Sequence, residues 1–287
     1  LCKNTSGGCN TAMGYRSLAS NTTAKFNTSI GMDALTSNTT GCCNTAVGFE
    51  SLYANTTGVN HTAIGRCALR KNTTGSENTA IGLQTMSCNT TGCQNVAVGI
   101  NALFANTVGF HNVAVGLNTL NAATTGCRNT SMGYISGTAL TTGCNNTFLG
   151  YGAGMRTTTG ICNIAIGSTA GCQNSPFHLT TQDNRIIMGN NATNAYIKVA
   201  WTVTSDLRDK TNFGTVPHGL DFVNKLEPVS FQFKKSREDN TPHGDVRYGF
   251  KAQDILALEG DNPVIIDNEQ PDHLKYKGEH LVPVLVN

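Results

Sequence analysis

Acidic side chains are almost absent from the first 200 residues, whose only carboxylates are Asp33, Glu50, Glu77 and Asp183. Glycoside hydrolysis commonly needs two carboxylates that flank the bond to be broken. This stretch therefore leaves little room for a glycan-cleaving site on one chain. The sequence also lacks any run of 18 apolar residues. Since a membrane-spanning helix needs about 20 such residues, no membrane partner is predicted.

The few charges are unevenly divided along the chain. Residues 1–200 carry 10 Lys and Arg against 4 Asp and Glu, whereas residues 201–287 carry 10 against 14. A formal net charge of +2 spread over 287 residues does not predict a nucleic-acid partner. All 11 cysteines lie at or before Cys172. Composition therefore changes near residue 200 and indicates two unlike parts.

Metal-ligand spacing is also missing. No CxxC pair lies near a second CxxC pair or an HxxxH pair, so we expect neither a metal site nor a cofactor. The histidines of the last third, His218, His243, His273 and His280, are scattered and are expected at the surface or at an interface.

A repeat dominates the first part of the chain. Glycine recurs every 17 residues from Gly14 to Gly167, and a second glycine series with the same spacing runs from Gly41 to Gly160. Asparagine stands four residues before each glycine of the first series, except where His61 replaces it. A leucine or methionine column runs from Leu18 to Leu120 and then becomes glycine. One unit reads N-T-A-I-G-x-x-A-L-x-x-N-T-T-G-x-x.

Seventeen residues with two Gly/Asn corners predict one coil of a parallel β-solenoid, with two short strands and two tight bends. Because glycine accepts positive φ readily, both glycine series are expected at such bends. The loss of the leucine column predicts a change of packing near residue 137. The in-phase N-x-[ST] triplets follow from the corner geometry and need not mark glycosylation. Stacked Cys127 and Cys144 suit either oxidation or a role as small fillers in a reduced compartment.

The unit is similar to the head repeats of trimeric bacterial adhesins, although those repeats are usually shorter. That resemblance implies a narrow parallel β-roll assembled as a homotrimer. A thin solenoid buries little core per chain, which oligomerisation would remedy. We therefore assign residues 1–171 to a repeat shaft and residues 172–204, which include Trp201, to a β junction.

Four motifs follow in residues 205–287. They are SDLRDK (205–210), GLDFVNKLEPVSF (219–231), GFKAQD (249–254) and YKGEHLVPVLVN (276–287). In this order they resemble the peptidase S74 family, the intramolecular chaperone domains of phage tail fibres and endosialidases. The resemblance implies a small α+β domain that promotes trimerisation, then cuts itself off at the serine. It also implies a coiled-coil helix following the last motif, which would lie after Asn287.

The residues themselves suit this chemistry. A serine hydroxyl needs a base to become a nucleophile, and a lysine with a lowered pKa can serve. Ser205 and Lys210 would meet if the segment turns between them, with Arg208 depressing the lysine pKa or holding the loop. Cleavage is expected at Ser205, either between Ser205 and Asp206 or after attack on the Thr204 carbonyl. It would be a single-turnover reaction helped by proximity.

Some assignments remain open. By itself SDLRDK also fits a polar loop with a helix-capping residue. Asn212 and Gln253 are supporting candidates, and Gln253 with Asp254 suits either contact with the Ser205 loop or a plain helix surface. The leading function is a virion tail fibre or spike, made in the host cytoplasm, that attaches to a glycan or protein receptor. It would join other virion proteins through an N-terminal segment before residue 1. The alternative is a bacterial cell-surface trimeric adhesin with the same terminal module.

Overall fold

The computed structural model describes residues 1–172, 177–190, 211–212, 215–234, 240–261, 263–269, 274–277 and 280–285. The chain divides into two compact units, Leu1–Asn191 and Ala192–Asn287. Each unit has its own hydrophobic core. Each is therefore described separately below.

The first unit is a parallel β-solenoid with one three-residue strand per coil. Its strands pair in chain order within one sheet, β1 beside β2 through to β11. They are β1 (Thr11–Met13), β2 (Thr28–Ile30), β3 (Thr45–Val47), β4 (Thr62–Ile64), β5 (Thr79–Ile81), β6 (Val96–Val98), β7 (Val113–Val115), β8 (Thr130–Met132), β9 (Thr147–Leu149), β10 (Ile164–Ile166) and β11 (Ile186–Met188). Equivalent residues face each other, as Ala46 faces Ala63. The predicted fold and its 17-residue coil, repeated about nine times, are confirmed.

We number each coil from position 1 at the residue before its strand, so the third coil runs from Asn44 (position 1) to Asn60 (position 17). The second strand predicted for each coil is not formed. At positions 7 and 9, Glu50 and Leu52 have φ of 52° and 51°, left-handed values that a strand does not contain. This side of the coil still stacks through backbone hydrogen bonds, such as Leu52 N–H to the Ala68 carbonyl at 3.0 Å.

The solenoid core is thin and regular. Position 3 at the middle of each strand is usually alanine and points inward, and position 9 supplies the leucine or methionine opposite; both Ala63 and Leu69 are fully buried. Positions 2 and 4, such as Thr62 and Ile64, flank the buried alanine and are half-buried or exposed. Side chains therefore alternate between the core and the surface along each strand.

Packing changes where the leucine column ends, as predicted. Position 9 becomes Gly137 and Gly154 in the eighth and ninth coils, while position 3 of the ninth coil enlarges to Phe148, which is fully buried. A Cβ added to Gly154 would lie 2.5 Å from Phe148 Cδ1, and one added to Gly137 would lie 2.8 Å from Phe148 Cδ2. One phenylalanine thus fills the space that two leucines would otherwise occupy.

Buried asparagines hold neighbouring coils in register. The Asn27 Oδ1 accepts a hydrogen bond from the Asn44 backbone N–H at 2.9 Å, while the Asn27 Nδ2 donates to the Gly41 carbonyl at 3.0 Å. In the position 12 column, the Asn38 Nδ2 donates to the Asn21 Oδ1 at 3.2 Å and to the Gly41 carbonyl at 2.9 Å. Both asparagine columns therefore converge on the same glycine carbonyl.

The two glycine series serve different purposes. Gly48, in the first series, has φ of 132°, a conformation that residues with a side chain rarely adopt. Gly41, in the second series, is not among the positive-φ residues. Glycine is required at this position for a steric reason instead, because an added Cβ would lie 2.3 Å from the Gly58 carbonyl oxygen. The expectation of positive φ at both series was therefore wrong for the second.

The N-x-[ST] triplets follow from this geometry. Their asparagines are fully buried, and each Nδ2 donates to the preceding asparagine of the column and to a backbone carbonyl, which belongs to Ala24 for Asn21 and to a glycine for the other four. The five residues are Asn21, Asn38, Asn55, Asn72 and Asn89. An amide nitrogen buried in this way is not accessible for glycan attachment in the folded shaft.

The 17-residue spacing ends after Gly171, but the sheet continues for one more coil. Ile164 in β10 pairs with Ile186 in β11, which lies 22 residues later. Leu179 is fully buried in this longer coil and lies against Gly171, whose added Cβ would be 2.9 Å from the Leu179 Cδ1. The assignment of residues 172–204 to a separate β junction stays a prediction, since residues 191–204 lie outside the described part of the chain.

The second unit is a small α+β region, as predicted. Its elements are α1 (Leu220–Val223), β12 (Val229–Lys234), β13 (Pro242–Gly249), α2 (Ala252–Glu259), β14 (Ile266–Asp267), β15 (Lys275–Tyr276) and α3 (Val282–Leu285). Strands β12 and β13 pair antiparallel, and so do β14 and β15. The core of this unit consists of buried residues from both helices and strands, namely Phe222, Ile255, Ile265, Ile266, Leu281 and Val284.

Candidate functional site

The proposed self-cleavage segment lies largely outside the described residues. Ser205, Asp206, Arg208 and Lys210 all fall there, so the dyad stays a prediction. Asn212 is described; it is exposed and has φ of 56°, a left-handed conformation in which asparagine is enriched among non-glycine residues.

The third sequence motif builds the core beside helix α2. Phe250 and Ala252 of the motif pack against the core cluster that contains Ile255, the residue directly after the motif, which is 1% exposed. The helix begins after Lys251, whose ammonium group lies 3.4 Å from the Asp254 carboxylate on the exposed side. The apolar residues of the motif therefore have a structural role, since they pack in the core of the second unit.

Gln253 is exposed on helix α2 next to that packed face. The described residues provide a plain helix-surface position for its side chain. Contact between Gln253 and the Ser205 loop, the other interpretation of the sequence, stays untested because that loop lies outside the described residues.

Glu259 is a residue that sequence reasoning missed. Its Oε1 accepts hydrogen bonds from the backbone N–H groups of Val264 at 2.8 Å and Ile265 at 2.7 Å, and its Oε2 accepts from Ile266 at 2.9 Å. One carboxylate thus joins the end of α2 to the start of β14. No local pattern marks such a residue, because its partners are backbone amides that become close only after folding.

Two of the four histidines of this unit have described side chains. His218 stacks on Phe222 with ring centroids 4.3 Å apart, and His280 is exposed. His273 and the side chain of His243 lie outside the described set. Across the described parts of the chain, no group of three or more His, Cys, Asp or Glu residues could hold a metal ion.

The shaft carries an uncharged face along its whole strand stack. We call it the strand face and define it as positions 2 and 4 of β1 to β11. Position 2 is always threonine, valine or isoleucine. Position 4 is always apolar: Met13, Ile30, Val47, Ile64, Ile81, Val98, Val115, Met132, Leu149, Ile166 and Met188. At a strand spacing of about 4.8 Å this face is about 50 Å long. The position 4 side chains along this face are exposed or half-buried, and contiguous exposed apolar surface marks interaction sites in soluble proteins.

A second surface feature is a cationic groove beside the fourth coil. The groove has a volume of about 350 Å³ and contains Arg66, Arg70 and Lys71 together with the rings of Phe49 and Phe104. Arg66 and Lys71 are exposed, and the Arg66 guanidinium lies 6.0 Å from the centroid of the Phe49 ring.

Only one carboxylate lines this groove. Glu50 accepts a hydrogen bond from Arg70, and this bond raises the pKa of the arginine. Since Glu50 neutralises one cation, the other two leave the groove with net positive charge. It is the strongest concentration of charge on a shaft whose remaining coils carry few charged residues.

Comparison with known proteins gives one family. Residues 205–262 match the model of the peptidase S74 family, described as the chaperone of endosialidase. This match covers the first three of the four motifs read from the sequence. No curated protein and no solved structure matches the chain. The protein is thus a parallel β-solenoid followed by a segment, residues 205–262, that matches the peptidase S74 family model. Among the described residues, no helix has the length and apolar character required to cross a lipid bilayer.

Proposed function

We propose that this chain forms a trimeric virion tail fibre or spike that attaches to the host, and that its C-terminal module guides assembly and then cleaves itself off. The observation that carries the proposal is the peptidase S74 match at residues 205–262, which follows a parallel solenoid of repeated coils. A solenoid of this kind suits a shaft, and the family description supplies the chaperone.

The strand face supports the trimeric state. Three copies side by side can bury this uncharged face around a common axis parallel to the coil stack. Because every copy has the same coil spacing, position 4 of each strand would meet its counterpart at the same height. Apolar burial contributes roughly 25 cal/mol per Å², so a face about 50 Å long would stabilise the assembly substantially.

A repetitive shaft also explains the need for a chaperone. Almost every coil offers the same strand face as its neighbour, so copies shifted by one coil would still match along most of their length. A globular trimerising module would set the register before the coils associate. Cleavage afterwards would remove that module from a fibre that is already kinetically trapped.

The proposed cleavage uses residues of this chain alone. Lys210 removes the proton from the Ser205 hydroxyl, and the serine oxygen attacks a neighbouring peptide carbonyl. The C–N bond of that peptide breaks, and its nitrogen takes the proton from Lys210 and leaves as an amine. Water then hydrolyses the resulting ester, which releases a carboxylate and restores the serine hydroxyl. Intramolecular placement supplies much of the rate enhancement, so a weak base is sufficient.

The test is expression of the chain beside Ser205→Ala and Lys210→Ala, followed by denaturing gel electrophoresis and intact-mass measurement. Wild type should split near residue 205 while both variants stay whole. Ser230→Ala and Lys225→Ala are matched controls outside the proposed dyad and should split like the wild type. An uncut wild type, or a cut Ser205→Ala variant, would remove the self-cleavage claim.

Sedimentation tests the oligomer separately. Ile81→Lys places a charge in the middle of the strand face, whereas Thr91→Lys places the same charge on an exposed corner of the neighbouring turn. We expect the wild type and Thr91→Lys to sediment as trimers and Ile81→Lys to dissociate. Monomeric wild type at micromolar concentration would contradict the assembly.

Host attachment is assigned to the cationic groove. Its exposed Arg66 and Lys71, beside two aromatic rings, suit an acidic group on a host-surface glycan or protein. The fibre would join other virion proteins through its N-terminal side. A bacterial surface adhesin with the same module remains the alternative, and a cell-wall or membrane anchor encoded in the same gene would favour it.

A further inference from the structure

Two cysteines of neighbouring coils lie in direct contact on the shaft. Cys127 and Cys144 both occupy position 16, in the seventh and eighth coils, and their Sγ atoms are 2.6 Å apart. That separation exceeds the length of a disulfide bond by only about half an ångström, since the bond is about 2.05 Å long. The Cys127 backbone N–H also donates to the Cys144 Sγ at 3.1 Å.

The solenoid geometry suits a covalent link at this point. Residues at the same position of successive coils lie about 4.8 Å apart, within the range of roughly 4.4–6.8 Å between Cα atoms that disulfides require. The other cysteines of the position 16 column lack such a partner. Val59 follows Cys42 one coil later, and Phe110 follows Cys93.

We propose that Cys127 and Cys144 are an oxidation site, which a small-molecule disulfide such as glutathione disulfide converts into a covalent bond between the seventh and eighth coils. The site is independent of the self-cleavage and attachment functions proposed above. It assigns a use to two of the cysteines that those functions leave unexplained.

The chemistry proceeds by two thiol–disulfide exchanges. The half-buried Cys144 loses its proton and attacks one sulfur of glutathione disulfide, which forms a mixed disulfide and releases one glutathione thiolate. The Cys127 sulfur then loses its proton to solvent base and attacks the Cys144 sulfur, releasing the second glutathione. The two protein thiols lose two electrons and two protons, and two molecules of reduced glutathione result.

The surroundings indicate the order of these steps. Burial raises the pKa of the Cys127 thiol to about 11, with a smaller contribution from its hydrogen bond to Cys144. Thiolate is the attacking species, so Cys127 is the poorer first nucleophile. Its deprotonation in the second step should make ring closure slow near neutral pH and faster as pH rises.

The bond would close a 17-residue loop that contains Gly137, where the leucine column ends. This is the part of the shaft in which one phenylalanine replaces two leucines in the core. Oxidation would therefore link the two coils on either side of the change in packing and restrict their separation.

The experiment compares reduced full-length chain with chain incubated in glutathione disulfide. Free thiols are then alkylated and the chain is digested with trypsin, which cleaves after Arg128 between the two cysteines. Peptide 129–156 contains only Cys144, whereas peptide 72–128 contains Cys88, Cys93 and Cys127. We expect these two peptides to be joined and two hydrogens lighter than their sum, with closure faster at pH 9 than at pH 7.

Single variants locate the bond. Cys93→Ser, the matched control in the same column, should still give the joined peptides, whereas Cys127→Ser and Cys144→Ser should not. The oxidised wild type should melt about 5–10 °C above its reduced form, and circular dichroism should show that all variants fold. Complete alkylation of Cys144 in the folded, oxidant-treated wild type would overturn the proposal. Joined peptides that persist in Cys127→Ser would overturn it as well.

Discussion

His61 is the one interruption of the position 1 asparagine column within the 17-residue repeats, and it should make the shaft sensitive to acid. The imidazole is 1% exposed and replaces both asparagine hydrogen bonds. Its Nδ1 accepts from the Asn78 backbone N–H at 3.2 Å, and its Nε2–H donates to the Gly75 carbonyl at 2.7 Å. Only the neutral ring can do both, since protonation of Nδ1 removes the acceptor.

The size of the effect follows from the pKa. Burial, which outweighs the opposing backbone hydrogen bonds, lowers the pKa of His61 from 6.5 to about 4. Below pH 6.5 the unfolded chain therefore binds a proton that the folded chain does not bind until about pH 4. Each pH unit in this window lowers the free energy of unfolding by up to about 1.4 kcal/mol, or about 3 kcal/mol in total. Above about pH 6.5 His61 is neutral in both the folded and the unfolded chain, so its titration no longer changes the free energy of unfolding.

His61→Asn restores the repeat and should remove this dependence. Thermal unfolding followed by circular dichroism at pH 7.5 and pH 4.5 would compare the variant with the wild type. The wild-type midpoint should fall by roughly 5–10 °C more than the variant midpoint, because about 1 kcal/mol corresponds to 2–4 °C in a unit of this size. His111→Asn changes an exposed histidine of the shaft and should behave like the wild type. Equal acid sensitivity in wild type and His61→Asn would refute the reasoning.

Three further predictions concern packing, the C-terminal unit and attachment. Phe148→Ala should destabilise the shaft by about 3–5 kcal/mol. Gly154→Leu alone should also destabilise the shaft, because the new side chain would clash with Phe148. The double variant Phe148→Ala/Gly154→Leu should have a higher free energy of unfolding, measured in urea, than either single variant. Glu259→Gln should cost the second unit about 1–3 kcal/mol, since three backbone N–H groups lose a charged acceptor; an unchanged denaturation midpoint would contradict this. On an array of acidic and neutral oligosaccharides, we expect the wild type to bind acidic sugars selectively and the double variant Arg66→Ala/Lys71→Ala to lose this binding. If that variant still binds acidic sugars, the groove is excluded as the attachment site.

Much of the solenoid was predictable because one short motif is repeated many times. Each Asn, Ala, Ile and Gly of the NTAIG motif has one role, and most coils repeat that role with the same or a similar residue. Conformation on the other side of the coil was not predictable from residue type. Leu52 and Glu50 adopt left-handed φ values that neither residue prefers, because inter-coil hydrogen bonds and the buried leucine column outweigh the local cost.

Compensating changes were only partly predictable. Loss of leucine at Gly137 and Gly154 signals different packing, but it does not identify Phe148 as the replacement. Phe148 belongs to a different column from both glycines, and Gly137 also lies in the preceding coil. Glu259 illustrates the same limit in the second unit, because its backbone partners carry no sequence signature. Ser205 and Lys210 were identified from motif order alone and stay predictions.

In the proposed trimer three copies must align coil by coil, and the irregular positions of the shaft bear on that alignment. A shift by one coil would leave the strand face matched almost everywhere, since position 4 stays apolar and uncharged in all eleven strands. Irregular residues such as His61 and Phe148 are buried inside a single chain, so they define register within that chain but present little to a neighbour. Alignment between chains would therefore gain little from the shaft itself. The proposed trimer would therefore need an external trimerising module, and we predict that shafts expressed without residues 205–287 will assemble out of register or aggregate.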